Sequence, residues 1–161
     1  MLLIPFLCLF LWVVNLGIAV GAGLYETLMM LPLWFPHHRG EPLTVNSRIM
    51  REIDPGRRFW GMITTLPLTL LTLLNLYFAL HESGPQRRPW LAASALVMVE
   101  RIMTFSFFIP VALKFMNSKT PAAPNVRKLV STWISLNRVR NLLILAAWLS
   151  ALYVYGMGMR S

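Results

Sequence analysis

The stretch MLLIPFLCLFLWVVNLGIAVGAGLYETLMML, residues 1–31, decides the fold. Apart from Asn15, Glu26 and a few small or hydroxyl residues, it is apolar from end to end. It is longer than the roughly 15 apolar residues of a signal-peptide core and has no basic start. Because about 20 apolar residues cross a bilayer as a helix, the stretch predicts a retained transmembrane helix.

Three further apolar segments follow, at residues 59–80, 90–113 and 142–155. The amphipathic stretch before residue 142 extends the last helix back, so the expected spans cover about 2–31, 59–80, 90–113 and 127–156. Residues 32–58 hold four prolines and five arginines, a composition that predicts a polar loop. The expected fold class is an all-α integral membrane four-helix bundle, with one domain over residues 1–161.

Composition excludes the main soluble classes. Hydrophobic residues make up 57% of the 161 residues and charged residues 13%, too few polar groups to cover a soluble domain. The net charge of +9 does not indicate nucleic acid, since the cations lie mainly between the apolar segments. The single Cys8 excludes an intramolecular disulfide, and no nucleotide-binding motif occurs.

The distribution of cations predicts sidedness. Nine lie in the first and third loops, and three lie on the opposite side. The positive-inside rule therefore predicts cytoplasmic loops one and three and both termini outside, and we expect the inner (plasma) membrane of a bacterium. The nine are Arg39, Arg48, Arg51, Arg57, Arg58, Lys114, Lys119, Arg127 and Lys128, and the three are Arg87, Arg88 and Arg160. Four tryptophans near span ends are expected at the membrane interface: Trp34, Trp60, Trp90 and Trp133.

Ionisable residues inside a span cost about 3 kcal/mol each on insertion scales, so they are functional candidates by default. Glu26, Glu100 and Arg101 are the three that stand out. Glu26 shares a helix face with Asn15 and small residues, which allow another helix to approach closely. We therefore expect Glu26 to face the interior and to contact the last helix through Arg140. That helix places Trp133, Asn137, Arg140 or Asn141, Ile144 and Trp148 on one side.

Two local motifs have two interpretations each. Gly17 and Gly21 favour tight packing inside the monomer over a homo-oligomer seam, and both stay open. The pair His37-His38 favours a solvated loop over a metal or proton site, because no metal-ligand spacing accompanies it. We therefore predict no metal site, and the sequence specifies no cofactor.

Two short stretches carry a family resemblance. They are Gly23-Leu24-Tyr25-Glu26 with Pro32-Leu33-Trp34 after it, and Trp133-Ile134-Ser135-Leu136-Asn137-Arg138-Val139-Arg140. Together with four spans, they resemble the anthrone oxygenase-like family of small four-helix membrane proteins. A few fungal members of that family are linked to oxidation of anthrones to anthraquinones. The resemblance implies a shared polar set of Tyr25, Glu26, Trp133, Asn137 and Arg140.

The first hypothesis is a membrane enzyme that oxidises a lipophilic phenolic or quinone-like molecule. Glu26 is the expected general base, Arg140 and Asn137 stabilise the oxyanion, and Tyr25 positions the ring. The remaining expected substrate-binding residues are Trp34, Trp133, Glu100 and Arg101. Such a reaction needs no metal if the substrate anion itself reacts with oxygen.

Two other functions compete with this one. A non-catalytic protein that binds lipid or quinone, or an accessory subunit of a larger membrane complex, would use Glu26 and Arg140 as a structural pair. Proton-coupled transport would use Glu100 and Arg101. In each case, the expected partners are the bilayer and a hydrophobic small molecule.

Overall fold

The computed structural model describes residues 3–37, 44–54, 56–117 and 124–159, with Arg57 and Arg58 as backbone only. These residues form helices and no strand, which confirms the all-α fold class. Four helices are long and apolar enough to cross a membrane, and a short fifth helix lies in the first loop. In chain order they are α1 (Leu3–Trp34), α2 (Ser47–Ile53), α3 (Phe59–His81), α4 (Arg87–Met116) and α5 (Pro124–Gly158).

The four membrane helices form an antiparallel ring, in which α1 and α4 each pack against both α3 and α5. Association in lipid depends on close packing rather than on exclusion of water, so small residues lie at the crossings. Ala93, Ala147 and Ala151 are fully buried. At Gly17, a Cβ atom would lie 3.3 Å from Nε1 of Trp148, so this glycine packs within the monomer. Gly21 has open space, and a homo-oligomer through it stays a prediction.

Asn75 joins three helices at the end of the bundle away from α2. Its Nδ2 donates to the carbonyls of Leu71 and Cys8 at 2.8 and 3.3 Å, and its Oδ1 accepts from Nε1 of Trp90 at 3.1 Å. Nε1 of Trp12 donates to Oγ1 of Thr72 nearby, at 3.0 Å. Since unpaired polar groups are costly in lipid, these bonds fix the register of α1, α3 and α4.

Three π-helical segments, two within α1 and α4 and one that runs into α3, each end two residues before a proline. The segments are Glu26–Met30 before Pro32, Gly56–Thr65 before Pro67 and Thr104–Phe108 before Pro110. Proline lacks an N–H and clashes with the carbonyl four residues earlier, so the helix widens there. Pro67 thereby frees the carbonyl of Ile63, and Nδ2 of Asn15 donates to it at 2.9 Å.

The sequence predicted a polar loop over residues 32–58. The structure shows that this loop contains the short helix α2. Oδ1 of Asn46 caps α2 by accepting from the N–H of Ile49. Oγ of Ser47 donates to the carbonyl of Phe115 at 2.7 Å, and Arg51 bonds the carbonyl of Met116. These bonds satisfy carbonyls at the end of α4, where no further turn follows. On the exposed face of α2, Nε of Arg48 donates a hydrogen bond to Oε1 of Glu52, and this bond raises the pKa of Arg48.

Three of the four tryptophans expected at the membrane interface have buried rings, and their depth in the membrane stays a prediction. Trp34, Trp90 and Trp133 are buried in the bundle, and Trp60 is half-buried. Position near a span end gives the depth of a residue, whereas the direction of its ring depends on the helix face. Several predicted loop residues lie outside the described residues: His38, Arg39, Lys119 and Arg160, with the side chains of Arg57 and Arg58.

Candidate functional site

A cavity of about 530 Å³ lies at the α2 end of the bundle. The first turns of α3 line one side through Trp60 and Thr64, and the last turns of α4 line the other, while α1 and α5 also contribute. Ile109 and Leu113 on α4 belong to this wall and are both exposed, so the cavity is open to the surroundings beside the last turns of α4. Two ion pairs interrupt a wall that is mostly apolar.

The first ion pair joins α1 to α5. Oε1 of Glu26 lies 2.9 Å from Nη2 of Arg140, and the carboxylate is only 3% exposed. The guanidinium of Arg140 lies over the ring of Phe108, 4.3 Å from its centroid, and 5.6 Å from that of Trp60. Aromatic faces and a carboxylate thus compensate a cation in an apolar wall. The predicted contact between Glu26 and Arg140 is confirmed.

The second ion pair lies on α4. Nε of Arg101 donates to Oε2 of Glu100 at 2.6 Å, and Oγ1 of Thr104 donates to Oε1 at 2.8 Å. Both Glu100 oxygens are therefore engaged, whereas Glu26 uses only Oε1 within the described part of the chain. This difference makes Glu26 the better placed carboxylate to accept a proton from a molecule in the cavity.

Two asparagines hold the turn of α1 that follows Glu26. Oγ1 of Thr27 accepts from Nδ2 of Asn137 at 3.1 Å and from Nδ2 of Asn141 at 2.9 Å, and it donates to the carbonyl of Gly23. Asn141 lines the cavity, whereas Asn137 is completely buried behind it. The structure therefore corrects the expected place of Asn137 beside a substrate oxyanion. Asn137 instead donates to Thr27, and Asn141 is the amide on the cavity wall.

Tyr25 does not lie at the cavity, contrary to the expectation that it positions a ring. Its side chain is 59% exposed. The reason is helix geometry, since neighbouring residues project about 100° apart and Glu26 faces inward. Tyr25 consequently faces outward from α1.

Trp34 and Trp133 both line the cavity, as do Glu100 and Arg101, so four of the expected substrate-binding residues are brought together. Trp133 packs against Phe108 and Phe115, with ring centroids 4.8 and 5.6 Å away. Nε1 of each tryptophan and Nη1 of Arg101 are buried without a partner among the described residues. These three N–H groups have almost no exposed surface, so they lie within the packed wall and not on its cavity face.

Sequence reasoning missed several wall residues. Thr104 and Phe108 follow Glu100 at intervals of four, so helical spacing from Glu100 predicts both. Met50 and Asp54 come from the first loop, and nothing in their local sequence indicates the cavity. Only the fold of α2 against α4 places them there.

The described residues contain no group of three or more His, Cys, Asp and Glu side chains that could hold a metal ion. His37 is exposed outside the cavity, and His38 lies beyond the described part of the chain. The predicted absence of a metal site at this pair stays a prediction.

The family model described as anthrone oxygenase matches residues 57–150, more than half of the chain. The match covers α3, α4 and most of α5, and thus the part of the cavity wall formed by Trp60, Arg101 and Arg140. Comparisons with curated proteins and with solved structures gave no match.

Proposed function

This chain belongs to the anthrone oxygenase family, and from that membership we propose that its cavity binds and oxidises a lipophilic phenolic or anthrone-like molecule. The observation that carries the proposal is the Glu26–Arg140 ion pair, which lies in the wall of an otherwise apolar cavity. A cavity of about 530 Å³ has the volume of a typical small-molecule site.

Entry from the bilayer fits the position of the opening. Ile109 and Leu113 are exposed apolar residues of the cavity wall, on a helix that crosses the membrane. An apolar substrate concentrates in the hydrocarbon region, so a lateral opening shortens its path and keeps it out of water.

In the first step of the proposed reaction, Glu26 accepts a proton from the CH₂ carbon that bridges the two aromatic rings of the substrate. Arg140, which lines the cavity, stabilises the negative charge that develops on the carbonyl oxygen of the substrate. The substrate anion then reacts with O₂ at this carbon, a C–O bond forms, and the peroxide takes up the first proton to give a hydroperoxide. Loss of the second C–H proton with cleavage of the O–O bond then forms C=O and releases water. Overall, CH₂ and O₂ give C=O and H₂O.

The experiment uses full-length protein in vesicles, with anthrone as the probe. We expect anthraquinone to form with uptake of one O₂ per turnover and with one ¹⁸O atom from ¹⁸O₂. Glu26→Gln should lower turnover by about 10²-fold, because an amide cannot accept the proton. Glu52→Gln is the control, since that carboxylate is exposed on α2.

Binding of anthrone without product would favour the non-catalytic alternative. Full turnover by Glu26→Gln would exclude Glu26 as the base. Mass spectrometry of molecules retained through purification would then identify the natural ligand class without reference to turnover.

A further inference from the structure

The hydroxyl of Thr27 joins α1 to α5 immediately beside Glu26. It donates to the carbonyl of Gly23 at 2.8 Å and accepts from Nδ2 of Asn137 and Nδ2 of Asn141, at 3.1 and 2.9 Å. A hydroxyl has one donor and two acceptor positions, so all three are used. Displacement of Thr27 from α5 therefore breaks hydrogen bonds that lipid cannot replace.

Asn137 is completely buried, behind the cavity wall, and it has little else to bond. Its Oδ1 has no partner among the described residues, although unpaired amide groups are costly inside a membrane protein. Within the same part of the chain, its Nδ2 bonds only Thr27. The contact with Thr27 is thus what accounts for an amide at this position.

The backbone of α1 changes its hydrogen-bond period at Glu26. The π-helical segment Glu26–Met30 begins there, and the N–H of Leu31 bonds the carbonyl of Glu26, five residues earlier. A turn closed in this way holds more residues than an α-helical turn, so the place of the change decides which way the neighbouring side chains point. The bonds from Thr27 to α5 fix that place.

The ion pair alone leaves the carboxylate less well defined. Within the described residues, Glu26 uses only Oε1, and its partner is the end of the long side chain of Arg140. Arg140 and Asn141 lie three and four residues after Asn137, and hence on one face of α5. This face therefore presents the counter-ion of Glu26 and both donors to Thr27 in one arrangement.

We propose that Thr27 is a positioning residue that acts through Glu26. Its bonds to Asn137 and Asn141 keep the carboxylate beside Arg140 and directed at a molecule in the cavity. The inference rests on the proposed function, since it takes Glu26 as the base. The pairing of Glu26 can be measured without turnover, so the two proposals can fail separately.

Labelling with dicyclohexylcarbodiimide, an apolar reagent for neutral carboxyl groups, measures this pairing in the detergent-purified protein. Thr27→Val keeps the shape of the side chain and removes the hydroxyl. A carboxyl that leaves its counter-ion in an apolar wall becomes neutral, so we expect labelling of Glu26 to rise at least about 5-fold. Peptide mass spectrometry reports each site, and Glu100 is the internal control, because its bonds lie within α4.

Three further variants separate the position of Glu26 from general loosening of the bundle. Thr27→Ser keeps the hydroxyl and should label like the wild type. Asn137→Ala removes one donor and should raise labelling of Glu26 by about 2-fold, which also provides a test if Thr27→Val does not fold. Thr69→Val is the matched control. Its hydroxyl also donates to the carbonyl four residues earlier, but it has no partner on another helix within the described residues.

The anthrone assay gives the second measurement. Thr27→Val should lower kcat by about 10-fold or more and leave KM within about 2-fold, because the base moves while the apolar wall stays. Thr27→Ser should keep most of the turnover. Unchanged labelling of Glu26 or full turnover in Thr27→Val would overturn the positioning role, as would an equal rise at Glu100 or in Thr69→Val. A rise confined to Glu26 in a protein that does not oxidise anthrone would support the positioning and reject the proposed function.

Discussion

At the scale of single residues, one position on a helix separates the interior from the lipid. Tyr25 and Glu26 are neighbours in the chain, yet the first is exposed and the second is buried beside Arg140. The ion pair matters for stability whatever the chemistry, because removal of one partner leaves the other charge buried and unpaired.

Glu26→Gln should therefore lower the free energy of unfolding by about 3 kcal/mol, and Glu26→Gln with Arg140→Gln should recover much of it. Thermal unfolding in detergent measures both effects. Glu52→Gln should change stability by less than about 0.5 kcal/mol, since its pair with Arg48 is exposed. A double variant that recovers stability but not turnover would separate catalysis from structure.

Gly23 provides a second prediction. A Cβ atom there would lie 2.6 Å from Oδ1 of Asn141, so Gly23→Ala must displace the amide that holds Thr27. We expect a loss of about 1–3 kcal/mol in the free energy of unfolding. Gly21→Ala is the matched control, because nothing lies within 4 Å of its added Cβ. Similar unfolding temperatures for both variants would contradict the close approach of α1 and α5.

At the scale of elements, the π-helical segments connect proline positions to the site. Asn15 donates to the carbonyl that Pro67 leaves without its helical partner, so one helix compensates for the irregularity of another. Three such segments lie at the cavity end, and they supply Glu26, Trp60, Thr64, Thr104 and Phe108 to its wall.

Asn15→Leu should lower the free energy of unfolding by about 1 kcal/mol, because the Ile63 carbonyl loses its donor. Adding Pro67→Ala should restore most of the loss, since residue 67 then offers an N–H to that carbonyl. Unfolding of the two single variants and the double variant gives the coupling. Thr69→Val is a suitable reference, because its hydroxyl donates only within its own helix, to the carbonyl of Thr65. Additive effects would contradict the compensation.

Helical periodicity explains how much of the fold and of the candidate site the sequence could predict. Steps of three and four from Asn15 lead to Glu26, and equivalent steps on α5 lead to Arg140, so the pair is predictable from helix geometry. The same reasoning missed α2, whose seven residues lie among prolines and arginines. Its place depends on bonds from Ser47 and Arg51 to the end of α4, and such distant contacts leave no local pattern. The family match adds α3 and α4, for which the sequence offered no motif.

At the scale of the whole molecule, orientation in the membrane remains a prediction from the distribution of cations. In a Cys8→Ser background, we expect a membrane-impermeant thiol reagent applied from outside to label Ser83→Cys and not Arg48→Cys. Both sites suit the test, since Ser83 is exposed and the side chain of Arg48 is 82% exposed. Labelling of Arg48→Cys alone from outside would reverse the topology, and permeabilised cells show that both sites react.

The hydrogen bonds of Asn75 have a mechanical consequence. These bonds hold α1, α3 and α4 together at one end of the bundle. At the other end, beside the cavity, the three π-helical segments interrupt the regular α-helical hydrogen bonds. We therefore expect the bundle to be rigid at the Asn75 end and more easily deformed at the cavity end. A change in lateral pressure in the leaflet that surrounds the cavity end should alter the cavity volume. The same change in the leaflet that surrounds the Asn75 end should have little effect.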